Sequence, residues 1–148
     1  MKANLCGTRW DKRFLDMAEL VASWSKDPST QVGAVIVNSG RRVVSVGYNG
    51  FPVGISDDKR LDNRESKYKM VVHAECNAIL FASGEIVDCT IYTYPFMPCP
   101  QCASMIIQSG LGRVVSYVTT NERWSDDFKL SREMFKEANV MLYEIQTQ

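Results

Sequence analysis

Apolar residues at Trp10, Phe14, Met17, Ala18, Val21 and Trp24 recur at three- and four-residue steps. That spacing lines one face of a helix over 9–24, with Thr8 as its cap and Asp11 completing a loose capping box. Lys26-Asp27-Pro28-Ser29-Thr30 breaks the helix. Val32 to Val37 is an unbroken apolar run with β-branched residues, the pattern of a buried strand. Asn38-Ser39-Gly40 is turn chemistry, and Arg42 to Tyr48 reads as the hairpin partner. From Ile55 to Lys69 charges of both signs alternate with no apolar period, which predicts a long solvated connection. Ala74 to Ser83 reads as a helix stopping at Gly84, and Thr90 to Tyr94 as a strand. Pro100 suits the first turn of a helix from Cys99 to Ser109 that stops at Gly110. Arg113 to Val118 is a strand, Ser125 to Ala138 a helix, and Val140 to Ile145 a last strand.

This order, a helix, a β-hairpin, then alternating helices and strands, predicts an α/β fold. We expect a three-layer α/β/α sandwich around a mixed five-stranded sheet. The helices after 73 and 99 follow one another through a single strand, so right-handed crossovers set them side by side with both N-termini at one edge of the sheet. No repeat or linker divides residues 1–148, and one domain is expected.

Composition narrows the partners. Lys and Arg total 17 and Asp and Glu total 17. That balance argues against a nucleic-acid-binding surface and favours a small-molecule substrate. The five cysteines do not form a disulfide framework. No apolar run reaches membrane-span length, and no signal-peptide core follows Met1-Lys2-Ala3-Asn4. A soluble protein of a reducing, cytoplasmic compartment is expected, without a membrane partner.

The chemistry concentrates between His73 and Cys102. The stretch opens with His73-Ala74-Glu75 and closes with Pro98-Cys99-Pro100-Gln101-Cys102, the signature of zinc deaminases. Catalytic zinc takes three protein ligands and keeps a fourth position for water. His73, Cys99 and Cys102 supply three, and residues three apart on a helix turn can reach one ion. Metal-bound water loses its proton near neutral pH. Glu75, two residues from a ligand, is placed to shuttle protons without binding metal. A closed knot would need a fourth ligand: His73 is the only histidine, Cys76 lies too close to it along a helix, and Cys6 and Cys89 are conceivable. Gly47-Tyr48-Asn49-Gly50-Phe51-Pro52-Val53-Gly54 is a shaped loop. It is either a structural turn or a place where backbone approaches a ligand.

Together with Asn77-Ala78-Ile79, Ser29 to Val37 and Gly47-Tyr48-Asn49-Gly50, these motifs resemble the dCMP deaminases of the cytidine-deaminase-like superfamily, over about Lys12 to Ile145. The compact length is similar to that of bacterial or phage members. The resemblance implies hydrolysis of dCMP to dUMP and ammonia, with zinc on His73, Cys99 and Cys102 and Glu75 as proton shuttle; with no second histidine, one zinc per chain is expected. It implies that Asn49 binds the deoxyribose hydroxyl and that the Ala74 N–H meets the cytosine carbonyl. The carbonyl near Pro98 would accept from the amino group, and Val32 and Ala34 would pack on the base. Phosphate is expected near Ser25 and Lys26, with Tyr117 a further candidate. Either Tyr94 or Phe96 would face the base. The family further implies a homohexamer activated by dCTP and inhibited by dTTP with Mg2+. The effector site is expected around Gly47, Gly50, Pro52, Gly54, Arg60, Arg64 and Lys67. Other deaminations in the superfamily (dCTP, nucleoside, guanine, tRNA adenosine) and a non-enzymatic zinc module are the alternatives.

Overall fold

The structure is a computed structural model, and it describes residues 8–119 and 122–147. Cys6 lies outside them. Five strands form one sheet: β1 (Gly33–Val37), β2 (Val43–Tyr48), β3 (Thr90–Tyr94), β4 (Arg113–Tyr117) and β5 (Met141–Ile145), in the order β2-β1-β3-β4-β5. β1 runs antiparallel to β2 and β3, while β3, β4 and β5 are parallel. The parallel pairs are joined by α4 (Pro100–Ser109) and α5 (Ser125–Glu137), so the mixed sheet follows from hairpin-then-crossover connections.

Strand alternation divides the core in two. Ala34, Ile36, Ile91 and Val114 face α3 (Ala74–Leu80), α4 and α5, where Ala78, Ala103, Ile106 and Phe135 are buried. Val35, Val37, Tyr92 and Val115 face α1 (Arg9–Ala22) through Phe14, Leu15, Ala18 and Val21. The three-layer expectation is met. No helix among the described residues is long and apolar enough to cross a membrane.

The Thr8 hydroxyl caps α1 by accepting from the Asp11 N–H at 3.2 Å. The helix ends two residues earlier than its apolar spacing suggests. Trp24 lies beyond it, 51% exposed, edge-on to Tyr48 at 6.2 Å. Asp11 is buried and takes a bidentate pair from Arg113 at 3.0 and 2.8 Å and a hydrogen bond from the Tyr92 hydroxyl at 2.7 Å, tying α1 to β3 and β4.

The connection from 55 to 69 is not structureless. A short 3-10 turn (Lys59–Asp62) leads into α2 (Arg64–Met70), capped by the Asn63 side chain, which accepts from the Ser66 N–H at 3.0 Å. α2 has no apolar stripe, so periodicity does not reveal it. The Asn63 cap was its one local signal.

Candidate active site

Two helix starts converge at one end of the sheet. His73 immediately precedes α3 and Cys99 immediately precedes α4, with Cys102 in the first turn of α4. Gly47 makes the approach of α3 possible: a Cβ there would sit within 2.5 Å of the Ala74 carbonyl oxygen, so α3 lies directly on β2. Pro100 at the first helical position and Gly110 at φ 87° bound α4 as its sequence predicts.

His73 Nδ1 stands 3.6 Å from Cys99 Sγ and 3.3 Å from Cys102 Sγ. A nitrogen and a sulfur on one tetrahedral zinc lie about 3.6 Å apart, so these donors fit zinc. Their ligand atoms all lie within 4.8 Å of one another, and among the described residues no other His, Cys, Asp or Glu joins the group. Cys89 is buried elsewhere, its thiol directed at the Glu85 carbonyl at 3.8 Å. The described set therefore has three members. The Cys102 thiol holds Cys99 down to about 4 by hydrogen bonding to it, with His73 adding to the effect. The same hydrogen bond, with burial, drives Cys102 upward. Hydrogen bonding to Cys99 raises His73.

Glu75 is 5% exposed and lines a cavity of about 230 Å³ that also reaches His73 and Cys99. Burial is the main cause raising its carboxyl above the ordinary carboxylate range, and neighbouring His73 opposes the shift.

Two further walls complete the cavity. One is aromatic: Phe96 packs on Trp124 at 5.2 Å and on Phe128 at 5.8 Å, and all three line it. Phe96 thus lines the metal cavity and reaches a second one as well, whereas Tyr94 lines only the second, with Lys12, Glu19 and Tyr117. The other wall is polar. Asp27, Ser29, Thr30, Asn49 and Lys67 line it. Asn49 accepts from the Val32 N–H at 2.9 Å and donates to the Thr30 carbonyl at 2.9 Å and to Asp27 at 3.4 Å.

Several expected substrate contacts lie elsewhere. Val32, Ala74 and Asn49 line the cavity. Ala34 is fully buried in the core, because strand alternation turns it inward beneath Ala74 and Ala78. Pro98 lies between two wall residues, Met97 and Cys99, without being one itself. Ser25 is buried and donates to the Asn49 carbonyl at 2.8 Å, and the Lys26 ammonium projects outward to Asp57 at 3.1 Å. Neither lines the metal cavity. Tyr117 packs among the α1-side residues and faces the second cavity.

The seven residues expected around an effector have different surroundings. Gly47 is a packing position under α3. Gly50 exchanges two backbone hydrogen bonds with Val72. Pro52 and Gly54 shape an exposed turn, and Arg60 pairs with Asp58 at 2.8 Å. Arg64 and Lys67 belong to the metal cavity, carried there by α2. Sequence reasoning missed α2, Asp27, Trp124 and Phe128 as wall elements, since only tertiary contact brings them to the metal ligands.

Residues 8–118 match the family model described as the cytidine and deoxycytidylate deaminase zinc-binding region. An uncharacterised deaminase from the luxG 3′ region of Aliivibrio fischeri is 51% identical over 136 residues, covering 90% of this chain and 91% of the relative. The deoxycytidylate deaminase of Homo sapiens is 41% identical over 138 residues, covering 88% and 76%. In fold, the chain resembles the crystal structure of cyanophage S-TIM5 dCMP deaminase in complex with dCMP and dUMP, with a TM-score of 0.71 at 24% identity, covering 90% and 95%.

Proposed function

The chain belongs to the cytidine and deoxycytidylate deaminase family, and from that premise we propose that it hydrolyses dCMP to dUMP and ammonia. The observation that carries the reading is the buried Glu75 carboxyl sharing one cavity with a three-donor zinc seat. The 41% identity to a human deoxycytidylate deaminase supports the substrate.

When bound by His73, Cys99 and Cys102, zinc supplies the Lewis acidity that lowers the pKa of water toward neutrality. Glu75 does the proton work. Its carboxylate takes a proton from water and delivers it to ring N3. It then takes the remaining proton from the oxygen newly joined to C4 and passes it to the exocyclic nitrogen as the C4–N bond breaks and ammonia leaves. Oxygen replaces nitrogen on C4, so one water is consumed for each ammonia released. The burial that raises Glu75 brings its proton affinity nearer the working pH, which suits both halves of that cycle.

Phe96, Trp124 and Phe128 give the planar base an apolar wall and exclude bulk water. The Ala74 N–H stands at the first position of α3 with no intrahelical carbonyl ahead of it, and it meets the ring carbonyl. The backbone carbonyl of Pro98, carried between the wall residues Met97 and Cys99, accepts from the amino group. Asn49 keeps one acceptor lone pair on Oδ1 for a sugar hydroxyl. Hexameric assembly, control by dCTP and dTTP, and Mg2+ with those effectors follow from the family resemblance, and a cytoplasmic location follows from the cysteine usage.

A substrate panel tests the reaction: dCMP, dCTP and deoxycytidine, each followed by loss of cytosine absorbance and by ammonia release. We expect dCMP to be turned over fastest. No turnover of any of the three by zinc-loaded protein would overturn the reading.

A further inference from the structure

The mixed-charge run before the histidine conceals a buried cation. The Lys67 side chain, on α2, is 9% exposed, and that of Asp27, in the loop after α1, is 7% exposed. Their contact spans 40 residues of sequence at 3.0 Å, and the Lys67 ammonium also donates to the Ser29 hydroxyl at 3.1 Å. Asp27 gathers the wall around itself. Its Oδ1 accepts from the Ser29 N–H at 2.8 Å and the Thr30 N–H at 3.2 Å, and its Oδ2 accepts from the Asn49 amide at 3.4 Å. Asn49 in turn holds the Val32 N–H at 2.9 Å. Ser29, Thr30, Asn49 and Lys67 therefore all lead back to one carboxylate, and that carboxylate leads to one ammonium.

We propose that Lys67 is a positioning residue for the deamination: it locks α2 to the Asp27–Thr30 loop and so sets the polar wall against which the nucleotide binds. A buried carboxylate without its cation is strongly disfavoured, and the loop would shift to hydrate it. The wall would then lose its register with the metal and with Glu75. Because Lys67 makes none of its hydrogen bonds to Glu75 or to the metal ligands, the effect falls on substrate binding and not on the proton steps.

The kinetic part rests on the proposed reaction; the structural part does not. Lys67→Met keeps the aliphatic stem and removes the ammonium. We expect KM for dCMP to rise on the order of 10–100-fold, the range of a lost charged hydrogen bond. We expect kcat to stay within about threefold and bound zinc to be unchanged. Amide exchange at Ser29 and Thr30 should quicken by on the order of tenfold, and Lys67→Arg should restore part of both effects. If Lys67→Met does not fold, Asp27→Asn carries the same measurements, since it keeps acceptors for the loop but drops the charge. An unchanged KM, or a fall in kcat alone, overturns the proposal. So does unaltered exchange at Ser29 and Thr30. Wild-type protein that leaves dCMP untouched strikes the reaction instead, and the exchange measurement then decides the role of Lys67 without it.

Discussion

A side chain in this protein takes its chemistry from how water is removed around it. Tyr92 shows this away from the site. Burial, and then its hydrogen bond to Asp11, push the Tyr92 hydroxyl well above the ordinary phenol value of 10.0. A raised phenol keeps its proton in the folded chain after the unfolded chain has lost it. The stabilisation is complete below about pH 10 and is lost as pH rises toward the folded value. We therefore expect tyrosinate absorbance of the native protein to lag that of the unfolded chain above about pH 10. Tyr92→Phe should remove the largest part of the lag and flatten the alkaline loss of stability. Identical titrations of the two proteins would contradict the assignment. At this scale His73, Glu75, Cys99 and Cys102 were legible, because a metal site written in two short local spacings survives without tertiary knowledge. Lys67 was not, since a lysine in a run of mixed charges has the composition of a solvated face until its partner 40 residues away is known.

Elements meet here through backbone as well as through side chains. At Gly33, where β1 meets α1, a Cβ would come within 2.6 Å of the Ala22 nitrogen, and at Gly47, where β2 meets α3, it would meet Ala74 and Ala78 backbone. α3 carries His73 at its start, so its seat on β2 fixes one metal ligand. Gly47→Ala is expected to destabilise the fold by about 1–3 kcal/mol, the range for inserting a group into a packed interior, and to weaken zinc retention. Denaturant unfolding and metal analysis after gel filtration check the two effects, and wild-type values for both would show that α3 does not rest on Gly47. Strand and helix boundaries were legible where period and punctuation agree, as in β3 and in α4 between Pro100 and Gly110. They were not where an element lacks an apolar stripe: α2 is capped by Asn63 and buries only Lys67, and a lysine does not announce a packed helix face.

Over the whole molecule, the order of elements anticipated the mixed sheet and the convergence of two helix starts, because hairpins and crossovers leave few alternatives. The cavity around that convergence was only half visible. Its floor comes from contiguous motifs, while its walls come from the loop after α1, from α2 and from the start of α5, distant stretches that the fold alone brings together. The same separation organises the function. The fold supplies a three-donor metal seat, a carboxyl deprived of water beside it, and polar and aromatic walls around both.

The most direct measurement of that division of labour is zinc content and dCMP turnover in Glu75→Gln, determined on the same preparation. The expected result is zinc at the wild-type stoichiometry with turnover lower by about 10²–10⁴-fold, the usual contribution of a positioned proton carrier. Turnover near wild type, or loss of the metal along with the carboxyl, would contradict it.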